Sequence, residues 1–397
     1  MNFLEEQKRT AALHLGRLQR LRAQLEQSNC AAGLFYDPIN IRYATGTTNM
    51  QVYSLHNPCR YVFVPIEGPV ILFEFTLCDH LSKHCPAVDE VRNAIAWYHF
   101  AAGPRSEEYA KWWCDEIVDL LRTYGGDNRR LAIDRLDPLG THMLVKAGVE
   151  IVDGQEVAHL ARMVKTSEEI SALRHSVDVC QTGIRRMRDA TRPGMSEQEI
   201  WAILHQTNIE QGGEWIETRL LTSGPRTNPW YQEAGARQVQ AGEMISLDSD
   251  LIGPQGYSAD ISRSWIVGNG MPSAEQQRLY NLAHEQVCRN SEIFFPGRAF
   301  SEVADLAWRL PQPYAEYEQP AVAHGTGLCN EFPLVMHSNW IREKGYDGII
   351  ESGMVFCIES YVGAPGGREG VKLEQQILIT DDGYELLSDM EFEERLL

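Results

Sequence analysis

The chain has 397 residues, 43% of them apolar, which is more than one domain usually needs and enough for two buried cores. Basic residues number 36 against 55 acidic ones, and the resulting net charge of −19 excludes the basic footprint of a nucleic-acid binder. No apolar run reaches membrane-spanning length, and the nine cysteines contain no C-x-x-C pair, which sets aside a zinc ribbon and a disulfide framework.

Residues 5–29 read as an amphipathic helix with Leu13, Leu15, Leu18, Leu21 and Leu25 as its apolar stripe. This N-terminal segment is charged and unlike a signal peptide, so a cytoplasmic protein with free thiols is expected. AAGLFY, RYVFVP, PVILFEF, RLAIDR and VEIVDG read as strands, with helical segments at NIRYATG, 105–125 and LGTHMLVKAG. Their alternation predicts an α/β domain over residues 1–160. The boundary falls near HLARMVKTSEEI, where Thr166 and Glu169 form a capping box for a helix over 167–190. Ser196 and Glu199 open the next helix after Arg192-Pro193-Gly194. A helix from Ser273, Pro296-Gly297 and a helix over 300–309 repeat that order. Strands follow at VAHGTG, GMVFCIES and VKLEQQILIT, so residues 161–397 read as a pseudo-symmetric α+β domain with a weak internal repeat.

Between the two helix pairs lies ISLDSDLIGPQGYSADISRSW, residues 245–265, which reads as a hairpin turning at Gly253-Pro254-Gln255-Gly256. Asp248 and Asp250 are two apart, so on a strand they share a face, and Asp260 returns opposite them. Three acids converging on an apolar hairpin repel one another unless a divalent cation joins them. His324, Glu359 and Glu374 add ionisable groups inside apolar, strand-like sequence. Taken singly, His324 is a satisfied core residue, and Glu359 or Glu374 is an ion-pair partner of Arg263 or Lys372. Together the six suit two metals bridged by carboxylates. Cys329 and Cys357 fall close to these residues in sequence and read as packed thiols.

The order Asp, Asp, His, Glu, Glu in these motifs resembles the pita-bread metalloenzyme superfamily of prolidase, aminopeptidase P and creatinase. FYDPINIRYATG is similar to the creatinase-type N-terminal domain. The resemblance implies the two-domain creatinase/prolidase architecture, with Asp250, Asp260, His324, Glu359 and Glu374 as ligands of two divalent metals. The superfamily commonly spaces its aspartates by eleven residues. Here Asp250 and Asp260 are ten apart and Asp248 and Asp260 twelve, which makes Asp248 a further candidate ligand.

Two histidines that handle the scissile amide in the peptidases are replaced by Trp230 and Glu331. GEWIETRLLTSGPRTNPW, HGTGLCNEFP and GVKLEQQILIT look more like the dimethylsulfoniopropionate lyase branch, which implies an iron-containing homodimer; manganese, zinc and cobalt also suit the ligands. The implied substrate is a small zwitterion, a sulfonium or betaine-like carboxylate, with Trp230 and Tyr257 expected to touch it. Metal-dependent hydrolysis of an Xaa-Pro dipeptide or a creatine-like C–N bond is the alternative. Where the lyases carry an Asp base and a Tyr, this chain has Asn330 and Gln319. An amide is no base, so Glu331 or a hydroxide at the metals is the expected proton acceptor ahead of Asn330, with Asp260 beside it.

Overall fold

The computed structural model describes residues 3–397. It separates into two compact units, one ending at Arg162 and the other running Met163–Leu397. In the first unit, helix Phe3–Gln27 buries Leu13, Leu18, Leu21 and Leu25, whereas Leu15 is 48% exposed. Leu15 lies two residues from Leu13, about 200° round a helix of 3.6 residues per turn, and so leaves the expected stripe.

Six strands of this unit, β1 (Ala32–Phe35), β2 (Tyr61–Pro65), β3 (Ile71–Glu74), β4 (Glu90–Asn93), β5 (Arg130–Ile133) and β6 (Glu150–Asp153), form one mixed sheet in the order β4-β3-β2-β1-β5-β6. β1, β2 and β3 are buried along their whole length and need continuous apolar sequence. The edge strands β4 and β6 expose Glu90, Asn93, Glu150 and Asp153, charged and polar residues that discourage further strand pairing. Helix Pro38–Thr45 is capped by the Asp37 carboxylate, which accepts from the Ile39 N–H, and Gly46 ends it at a φ of 75°.

The second unit repeats one pattern twice. Helices Ser167–Ala190 and Glu197–Glu210 both start in capping boxes, at Thr166/Glu169 and Ser196/Glu199. Helices Ala274–Glu292 and Phe300–Leu306 follow later in the same long–short order. The residue before each short helix makes the same isolated bridge to a downstream loop, Ser196 to Gln238 and Ala299 to Ile349. The second short helix is shorter than expected because its chain turns away at Ala307, where ψ is 130°.

Between the pairs run β7 (Trp215–Ile216), β8 (Leu221–Ser223), β9 (Met244–Leu247), β10 (Leu251–Ile252), β11 (Ser258–Ala259) and β12 (Arg263–Ile266). After them come β13 (Ala321–Thr326), β14 (Asn330–Met336), β15 (Val355–Gly363), β16 (Gly370–Thr380) and β17 (Gly383–Leu386), in the sheet order β14-β13-β15-β16-β17. Val362, Val371 and Leu373 pack with Leu279, Tyr280, Ala283 and Val287 of helix Ala274–Glu292. That covers one face of β15 and β16. Alternation sends the polar residues of the same strands to the other face.

Candidate metal centre

Sheet register assembles the site. Across β13, β15 and β16, His324 pairs with Cys357 and Cys357 with Gln376, while Glu359 pairs with Glu374 and Tyr361 with Lys372. Directly paired residues share a face, so these rows form one polar surface. β9 lies between β8 and β12, and β10 between β7 and β11. Leu247 is opposite Arg263, and Leu251 is opposite Ala259. Between these pairs the Asp250 N–H donates to Asp260 Oδ1 at 3.4 Å, and the Ser262 hydroxyl donates to Asp248 Oδ1 at 2.8 Å.

The segment between β9 and β10 is not the regular strand expected from sequence. Asp250 has a φ of 37°, in the left-handed region, and this local turn, not a straight strand face, brings its carboxylate to Asp248. Oxygens of Asp248, Asp250 and Asp260 lie within 4.8 Å of one another, and a second group of donors within that distance comprises Asp260, His324, Cys357 and Glu374. Asp260 belongs to both. Its backbone N–H donates to Gln376 Oε1 at 3.1 Å, which ties the hairpin to the sheet.

The His324 Nδ1–H donates to Gly325 O at 3.1 Å, which aims Nε2 into the acids: 3.3 Å from Glu359 Oε1, 3.6 Å from Asp260 Oδ2 and 3.7 Å from Glu374 Oε1. Glu374 Oε1 is buried and makes no hydrogen bond among the described residues. A ring nitrogen and an orphaned carboxylate oxygen facing other acceptors is an arrangement that a divalent cation satisfies. The residues therefore fit a metal.

Lys372 enters this cluster with its side chain wholly buried. Its Nζ lies 2.8 Å from Glu359 Oε2, 2.9 Å from Glu374 Oε2 and 3.4 Å from Asp248 Oδ2, and it donates to Ser262 Oγ at 2.8 Å. Burial opposes its charge, but the three carboxylates hold the ammonium well above its ordinary range. Burial likewise opposes the His324 imidazolium, and Glu359 and Glu374 outweigh it. Asp250 is pushed up to about 7 by burial and by Asp248, and burial raises Asp248 and Asp260 too. Glu359 stays below the usual carboxylate range because Lys372 and His324 overcome its burial. Arg263 does not pair with these acids. It donates to the carbonyls of Ser262, Glu374 and Met390 and to Gln375 Oε1.

Two family models match the chain, the creatinase/prolidase N-terminal domain over residues 17–164 and metallopeptidase family M24 over residues 171–381. The chain belongs to metallopeptidase family M24. The dimethylsulfoniopropionate lyase DddP of Roseovarius nubinhibens is 40% identical to this M24 chain, over 98% of it and 90% of that protein. The lyase of the same name from Roseobacter denitrificans is 39% identical over 98% and 88%. Among solved structures, an Xaa-Pro dipeptidase from Bacillus anthracis superimposes with a TM-score of 0.77 at 21% identity, covering 96% of this chain and 99% of that one. That likeness establishes the two-domain pita-bread fold expected from sequence.

The remaining candidates of this M24 chain fall in different surroundings. Trp230 is buried and stacks on Tyr361 at 5.8 Å, in a segment held by Asn228 Nδ2 donating to Ala364 O and Gly367 O. Tyr231, which sequence reasoning passed over, has a φ of 66° and is 67% exposed. Its hydroxyl accepts from Gln319 Nε2 at 3.1 Å and feels the charges of Glu359, Lys372 and Asp248. Tyr257, expected to touch substrate, is fully buried and donates to Glu169 Oε1 at 3.0 Å, so it anchors the hairpin tip to helix Ser167–Ala190.

Glu331, expected as the proton acceptor, is a buried counter-ion: Lys165 Nζ donates to its Oε2 at 2.9 Å and the Leu328 N–H to its Oε1 at 3.0 Å. Asn330 is exposed at the first position of β14. Lys372 and Gln376 were legible as the polar alternation around Glu374 in VKLEQQ, and Cys357 as the position two before Glu359.

Proposed function

We propose that this M24 chain is a metal-dependent lyase that splits dimethylsulfoniopropionate, or a closely similar zwitterion, into dimethyl sulfide and acrylate. The observation that carries this reading is the 40% identity, along 98% of the chain, with a lyase of that substrate. Trp230 and Glu331, where the peptidases are expected to have histidines, support it: one is an aromatic face and the other is engaged by Lys165.

Asp248, Asp250, Asp260, His324, Glu359 and Glu374 would hold two divalent cations, with Asp260 common to both. Five carboxylates and the Lys372 ammonium sum to −4, which two divalent cations cancel. The bound metals supply Lewis acidity toward the substrate carboxylate and so acidify the neighbouring C–H. As that proton leaves, the C–C double bond forms, the C–S bond breaks and dimethyl sulfide departs with the electron pair. Trp230 and Tyr361 present stacked rings suited to a permanent sulfonium cation. The Tyr231 hydroxyl accepts from Gln319 and feels the charges of Glu359, Lys372 and Asp248, which supports a role for it beside a substrate bound at these acids. With Glu331 committed to Lys165 and Asn330 an amide, the proton acceptor would be supplied at the metal centre that these acids hold. Iron as the metal and a homodimer rest on the resemblance to the lyases, and a cytoplasmic location completes the proposal.

The test is direct. Metal-loaded protein is incubated with dimethylsulfoniopropionate and separately with Xaa-Pro dipeptides. Dimethyl sulfide in the headspace is the expected result; proline release without sulfide reverses the reading toward hydrolysis.

A further inference from the structure

Cys357 reads from sequence as a packed thiol, but the structure puts its Sγ among ligand atoms. Asp260, His324, Cys357 and Glu374 each offer one donor atom, all within 4.8 Å of one another. The placement follows from strand register, because Cys357 pairs with His324 on one side and Gln376 on the other, in the row next to Glu359 and Glu374. Cys357 is a free, fully buried cysteine. A second observation points into the same space: Glu374 Oε1, wholly buried, makes no hydrogen bond among the described residues and faces His324 Nε2 at 3.7 Å.

The other group, Asp248, Asp250 and Asp260, offers oxygen alone. We propose that Cys357 is a sulfur donor to the metal held by Asp260, His324 and Glu374, and that it makes the two metal positions chemically unequal. A set of carboxylate oxygens suits a hard ion such as manganese. A set of imidazole, thiolate and carboxylate suits a borderline ion such as iron, cobalt or zinc. When the metal–sulfur bond forms, the thiol proton passes to solvent and the sulfur supplies the electron pair. The inference rests on the proposed two-metal site and specifies which position takes which class of metal.

Cobalt(II) is the probe. Chelated full-length protein is titrated with cobalt while bound metal is counted and the near-ultraviolet spectrum is followed. Wild-type protein is expected to develop a sulfur-to-cobalt charge-transfer band. Cys357→Ser should bind cobalt without that band, and Cys329→Ser should keep it. X-ray absorption at the cobalt edge of the wild-type protein gives a second measurement that needs no variant, with a sulfur scatterer expected at about 2.3 Å. Stoichiometric cobalt surrounded only by nitrogen and oxygen would overturn the sulfur ligand and leave the two-metal reading standing. Protein that binds no cobalt overturns both.

Discussion

Glu331 shows how a residue's meaning depends on what it meets. In sequence it stands beside Asn330 in a motif that resembles a catalytic one, and its partner Lys165 is 166 residues away. Both side chains are all but inaccessible, at 2% and 1% exposure. Glu331→Gln removes the charge opposite a buried ammonium, a change that costs about 3 kcal/mol or more. The variant is expected to melt well below the parent by calorimetry, with little change in turnover per folded, metal-loaded molecule; an unchanged melting temperature with abolished turnover would restore Glu331 as the base. Trp230 carries a different expectation. Losing a desolvated cation–π contact costs about 2 kcal/mol, so Trp230→Ala should raise KM for the sulfonium roughly thirtyfold, and Trp230→Phe by less. Headspace kinetics read both. Residue types alone reveal the acids and His324, because such groups are rare in apolar strands. They do not reveal that Asp250 adopts a φ of 37° or that Glu331 is already paired, since both depend on distant neighbours.

At the scale of elements, capping boxes and period-two strands were legible because they are local. Thr166/Glu169 and Ser196/Glu199 open their helices where expected, and the alternation in VKLEQQILIT becomes the two faces of β16. The hairpin was only half legible. Its turn is where Gly253-Pro254 indicates, but its two arms are divided between two small sheets, and nothing in the local pattern marks that division. The tip is fixed from outside. A Cβ at Gly253 would meet Ser176 Oγ at 2.6 Å, its Cβ at 2.7 Å and its Cα at 3.0 Å, while Tyr257 binds Glu169 on the same helix. Gly253→Ala should therefore cost about 1–3 kcal/mol by overpacking and loosen the arm that carries Asp250. Denaturant melts combined with metal titration check this: stability and metal affinity should fall together, and a fall in stability alone would separate the tip from the site.

For the whole molecule, the same cluster sets a pH dependence that metal loading should reduce. In metal-free protein, burial and the neighbouring Asp248 push Asp250 up to about 7 from its ordinary 3.8. A raised carboxyl stabilises the fold while it is protonated, so its contribution grows as pH falls through about 7 and is lost as pH rises again. The raised Asp248 and Asp260 act in the same direction, whereas the lowered Glu359 and Glu374 work against the fold only at much lower pH. Chelated protein should thus melt higher near about pH 5.5 than near about pH 8, and metal-loaded protein should show a smaller difference by calorimetry at both values.

Lys372 gives the centre a history as well as a charge. A cavity lined by five acids and no cation would have to wait for its metals before the chain could close around it. With an ammonium already bonded to Glu359 and Glu374, the polypeptide can finish folding first and be filled afterwards. The chelated chain is therefore expected to stay folded and to take up its ions again, and a cooperative melt of metal-free protein that rises on re-addition of metal checks this.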